Sequence, residues 1–181
     1  MTFLNIFAHN IKYVYLTNWI SLQSTPANYK MEGNKTLHIL LADDDEDDRS
    51  FFQMALDKLE FPGNLKTVRD GEQLMDYLDE YSDSLPDVLF LDLNMPRKNG
   101  SECLMEIKAS DKLKQLPVVI YSTSINDTIG NVLYNHGAHY YVRKCEFNEL
   151  TKLLQRVLSE MIHTKFVRPK RDSFVVNFVK V

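Results

Sequence analysis

Asp43, Asp44, Asp92, Ser122 and Lys144 are the residues of this chain whose types could act together chemically. Each lies at the end of a short apolar run: the two adjacent aspartates after 37–42, Asp92 after 88–91, Ser122 after 118–121 and Lys144 just beyond 140–142. Such runs, bounded by loop formers, read as strands buried on both faces. The five residues then meet at the carboxyl edge of one parallel sheet, where open α/β sheets bind ligands. Carboxylates brought this close repel and raise each other's proton affinity unless a cation joins them. Magnesium suits the set, because it takes a few carboxylates, retained water and phosphate oxygens. Its available ligands are Asp43 or Asp44, Asp92 and a loop carbonyl, that of Asn94. With the charge neutralised, Asp92 can attack phosphorus and hold the phosphoryl group as an acyl phosphate. The Ser122 hydroxyl and the Lys144 ammonium supply a hydrogen bond and a point charge to its oxygens.

Positioning these residues takes five strand-helix units. The acidic run from Asp43 to Asp48 leads into a helix with Phe52, Ala55, Leu56 and Leu59 on one face, which Asp45 and Asp48 can cap and complement. For Asp45, Asp47 and Asp48 a solvated helix start is the expected role. Residues 65–68 alternate as a half-exposed edge strand should, and Leu74, Tyr77, Leu78 and Tyr81 mark the next helix. Cys103, Leu104 and Ile107 follow the third strand. Ile125, Ile129, Val132, Leu133 and His136 follow the fourth, on a stripe weakened by Gly130 and three asparagines. Leu150, Leu153, Leu154, Val157, Leu158 and Met161 mark a strong last helix. Short connections and right-handed crossovers then predict a doubly wound, five-stranded parallel α/β sheet.

Composition bounds the rest. The net charge of −4 gives no basic field for nucleic acid, and no DNA-reading unit follows Met161. Cys103 and Cys145 fit neither a metal site nor a disulfide framework, so a reducing cytoplasm is the expected compartment. Residues 1–34 show no clean period and are expected to lie outside the fold, with 35–163 as the domain; their apolar stretch 13–22 is too short to span a bilayer. Met31 is the expected translation start. Residues 164–181 end in the apolar run 174–179, which reads either as an unstructured tail or as an added strand or self-association arm.

The stretches Leu41-Ala42-Asp43-Asp44, Leu91-Asp92-Leu93-Asn94-Met95-Pro96 with Gly100, Ser122-Thr123-Ser124, and Tyr141 with Lys144 resemble the receiver domain of two-component response regulators. The resemblance runs from about residue 37 to 161 and is nearest to stand-alone receivers paired with phytochrome-type histidine kinases. It implies a flavodoxin-like fold with strand order 2-1-3-4-5, and a phosphoprotein of a phosphorelay rather than an enzyme. It also implies that Asp92 accepts the phosphoryl group from a histidine kinase or phosphotransfer protein. Asp43 and Asp44 would help bind magnesium, and Ser122, Tyr141 and Lys144 would form the switch. Output would pass to a downstream protein through the face made by helix 125–136, strand 140–143 and helix 147–162, with a homodimer as a further expectation.

Two other readings compete. A phosphate-independent interaction module is suggested by Cys145, which stands where many receivers have proline, and by the unusual chain ends. An aspartyl-nucleophile phosphatase would need a second acid two residues after Asp92, where this chain has Asn94.

Overall fold

The computed structural model describes residues 36–59, 63–123 and 127–176. Their strands are β1 (Leu37–Ala42), β2 (Gly63–Val68), β3 (Val88–Leu91), β4 (Val118–Ser122), β5 (Tyr140–Arg143) and β6 (Val175–Val176). All pair in parallel, in the order β2-β1-β3-β4-β5-β6. Parallel neighbours need crossovers, which are α1 (Glu46–Leu56), α2 (Gly71–Glu80), α3 (Gly100–Ala109), α4 (Asp127–Asn135) and α5 (Phe147–His163). The strands β3 and β4 are buried at every residue, whereas β2 alternates as an edge strand does. Alternate side chains feed two cores. Phe52 of α1, Phe90 and Tyr121 meet edge to face beneath α1 and α5, while Leu91, Leu104, Ile120 and Tyr141 pack under the helices of the other face.

The helix starts follow their capping residues. Asp45 accepts the backbone N–H groups of Asp47 and Asp48 ahead of α1, and Asn99 with Glu102 closes a reciprocal capping box on α3. On α4, Leu133 is buried, but Ile129 and Val132 remain 40% and 47% exposed, so the apolar stripe read from the sequence is only partly inward. Ile125, the first residue of that stripe, lies outside the described residues.

The sheet has one strand more than the five expected, and residues from the tail supply it. With only five strands the backbone of β5 would face open space on one side. The chain reverses after α5, and the Tyr141 N–H donates to the Phe174 carbonyl at 2.8 Å. Phe174 itself is fully buried, its ring centroid 5.3 Å from that of Tyr134 and 6.4 Å from that of Tyr141. The reversal is a Schellman cap: Phe166 N–H donates to the Met161 carbonyl at 2.6 Å and Lys165 N–H to the Ile162 carbonyl at 3.1 Å. Residues 1–34 and 177–181 lie outside the described set. Among the described residues no helix is long and apolar enough to cross a membrane.

Candidate functional site

The carboxyl ends of β1, β3, β4 and β5 bring Asp43, Asp92, Ser122 and Lys144 together, as their spacing requires. Carboxylate oxygens of Asp43, Asp44 and Asp92 lie within 4.8 Å of one another. Asp43 is fully buried and Asp92 nearly so, while Asp44 stands exposed at the rim. An all-oxygen set of this kind, part buried and part open to solvent, suits a hard divalent cation that keeps some of its water. Asn94 is exposed two residues beyond Asp92, in the loop whose carbonyl the sequence offers as a further ligand.

Lys144 is the charge that holds these acids together. Its ammonium lies 2.8 Å from Asp43 and 3.3 Å from Asp92, and its backbone N–H donates to the Ser122 carbonyl at 2.9 Å. Burial alone would lower its pKa, but the contacts with Asp43 and Asp48 raise it above the ordinary lysine value. Burial pushes Asp43 up to about 6; the Lys144 hydrogen bond pulls it down and the Asp92 charge adds to the rise.

Sequence reasoning missed Asp48, which it assigned to a solvated helix start. Asp48 accepts from Lys144 at 2.7 Å, the shortest of that lysine's three carboxylate contacts. Its signal is position: a residue in the first turn of α1 sits over the same sheet edge as Asp43.

The loop after Asp92 is fixed by contacts that also escape pattern reading. Asp70, fully buried, caps α2 through the Gln73 N–H and pairs with Arg97, whose φ of 65° places it in left-handed backbone. A Cβ on Gly71 would fall 2.1 Å from the Lys98 carbonyl oxygen, and one on Gly100 would fall 2.0 Å from that of Asp92. At both glycines backbone therefore passes backbone with no room for a side chain, which fixes the two ends of the loop after Asp92.

Tyr141, the expected rotating aromatic, is fully buried and capped by Phe174 rather than facing solvent. Burial raises its phenol pKa and the neighbouring Ser122 hydroxyl works against that rise. Cys145 is not an activated thiol: burial pushes it up to about 11, with Glu149 adding to the shift.

A family model described as response regulator receiver domain matches residues 39–157. The methanogenesis regulatory protein FilR2 of Methanothrix harundinacea, so described with the qualifier "probable", is 30% identical over 70% of this chain and 84% of its own length. Response regulator Rcp1 of Synechocystis is 34% identical over 74% of this chain and 94% of its own. Its Mn(2+)-bound crystal structure superposes with a TM-score of 0.64 at 33% identity, covering 74% of this chain and 99% of that one. The phosphorylated cyanobacterial phytochrome response regulator RcpA gives 0.65 at 33% identity, covering 75% and 100%. Receiver domains bind a divalent metal and serve phosphorelay signalling, and an acidic cluster is present at this sheet edge. By its matched residues, its strand order and its relatives, this chain belongs to the response regulator receiver domain family.

Proposed function

We propose that the chain is a stand-alone receiver in which Asp92 accepts a phosphoryl group from a sensor histidine kinase or phosphotransfer protein and so changes which proteins its surface binds. The observation that carries this reading is the trio Asp43, Asp44 and Asp92 within 4.8 Å, bridged by Lys144. The high coverage of Rcp1 and RcpA supports it.

Asp43, Asp44, Asp92 and the Asn94 carbonyl would hold magnesium, which supplies charge neutralisation to carboxylate and phosphate when bound. An Asp92 oxygen attacks phosphorus as the bond from phosphorus to the donor nitrogen breaks, and the donor imidazole leaves with its electron pair. The Lys144 ammonium, 3.3 Å from the Asp92 carboxylate, faces the arriving oxygens. The Ser122 hydroxyl donates to the phosphoryl group, and the Tyr141 ring beside it repacks against Phe174 and α4. The readout surface is α4, β5 and α5, with the residues of β6 now forming its edge; a homodimer through that edge belongs to the same proposal. The chain works in the cytoplasm, without nucleic acid, and turns over no small-molecule substrate. Residues 35–163, with β6 paired to them, are the functional unit, and residues 1–34 are an extension outside that unit.

The test is Asp92→Asn treated with acetyl phosphate and magnesium, followed by intact mass. The native chain gains one phosphoryl group and the variant none; label retained by the variant refutes the site, and a native chain that never takes label favours the phosphate-independent module.

A further inference from the structure

The connections entering β4 and β5, together with the turn leaving α5, surround a cavity of about 530 Å³ at the amino edge of the sheet, opposite Asp92. That volume is within the range of small-molecule sites. Its walls carry Lys108, Lys114, Lys165 and Arg168 and no carboxylate. Lys114 is matched by Asp111 at 2.6 Å, but among the described residues no carboxylate pairs with the other three.

Backbone carbonyls hold two of them instead. Lys108 donates to the carbonyls of Lys114 at 3.0 Å and Leu116 at 2.6 Å, and Arg168 to those of Ala138, at 2.8 Å, and Tyr134. Carbonyls satisfy hydrogen bonds while leaving the charges in place. Burial, reinforced by Arg168, lowers Lys108 to about 8; burial, reinforced by Lys108 and Arg168, lowers His139 to about 4. The helices α3, α4 and α5 all end at this edge, and each terminus offers about half a negative charge, so roughly half of the three unmatched positive charges remains uncovered.

Lys165 adds a separate observation. It occupies the left-handed position of the Schellman cap, with φ 52°, where glycine is more stable by about 1 kcal/mol. Phe166 follows with φ 60°, so two successive left-handed residues set Lys165 and Phe166 on the cavity wall. Beside it Phe166 and Val167 give an apolar flank, Val167 being 66% exposed.

We propose that this cleft binds a phosphorylated small molecule, the phosphate taken by Lys108, Lys165 and Arg168 and the organic part lying on Phe166 and Val167. Isothermal titration of the full chain with ADP, inorganic pyrophosphate and uncharged adenosine, without divalent cation and repeated in Asp92→Asn, tests it. ADP and pyrophosphate bind saturably, adenosine does not, and Asp92→Asn leaves both affinities unchanged. ADP tighter than pyrophosphate assigns the organic flank; equal affinities assign recognition to the phosphate alone. Lys165→Gly keeps the cap and removes the charge, so it melts at a higher temperature yet binds about tenfold more weakly. Absence of saturation by either anion at millimolar concentration, affinity undiminished in Lys165→Gly, or binding lost in Asp92→Asn each overturns the proposal.

Discussion

The two edges of one sheet carry opposite chemistry. At the carboxyl edge a single lysine answers three carboxylates, Asp43, Asp48 and Asp92; at the amino edge Lys108, Lys165 and Arg168 face a cavity without a matching acid. The direction of the helices accounts for much of this segregation. Helix amino ends, favourable to acids, follow the carboxyl ends of the strands, and helix carboxyl ends, favourable to cations, gather at the other edge. The difference teaches that each edge is left with charge its own residues do not balance, which is what the two proposals, a cation at one edge and an anion at the other, rest on.

Substitutions can break this contrast one edge at a time. The largest expected effect is Gly100→Ala, since a Cβ 2.0 Å from the Asp92 carbonyl oxygen has nowhere to go; denaturant unfolding should show a loss of about 4 kcal/mol. Lys144→Met leaves Asp43 and Asp92 buried without their cation. It should lose about 3 kcal/mol in a chelator, with millimolar magnesium restoring part of the midpoint, whereas the native chain gains less from the same addition.

The amino edge is sharpened by pH. His139 has its folded value lowered from 6.5 to about 4, so the unfolded chain takes the proton first and stability falls as pH drops through that window. Unfolding free energies at about pH 7.5 and pH 5 should differ by about 2 kcal/mol more in the native chain than in His139→Gln, the comparison cancelling the opposite contribution of Asp43. The smallest effect belongs to Asp48→Asn. Its side chain is 32% exposed, so weakening the Lys144 contact should lower stability by only about 0.5 kcal/mol in denaturant unfolding.

Much of this is legible in the sequence, and the reasons differ by element. Strands β1, β3, β4 and β5 are apolar runs that stop at a charged or hydroxyl residue, so both the sheet and the residues at its edge follow from period and punctuation. Asp48 is harder, because four aspartates and a glutamate surround it and only the reach of Lys144 separates it from its neighbours. Asp70 and Arg97 lie 27 residues apart with no shared pattern; they meet because α2 and the loop after β3 start at the same edge. On α4 the spacing of Ile129 and Val132 resembles a core stripe, yet Leu133 and Gly130 occupy the inward side. The tail offers an apolar run without saying what it covers; the open side of β5 decides.

Arg168 gives α4 an unusual dependence. This short helix, carrying Gly130 and two asparagines in its described span, ends at Asn135, and Arg168 stacks 3.8 Å over the Tyr134 ring while donating to the Tyr134 carbonyl. A residue more than thirty positions downstream thus serves as the helix's end cap. Amide exchange at residues 131–135 should report whether the tail is docked, and cutting the chain after His163 should fray α4 from its far end without altering one of its own residues.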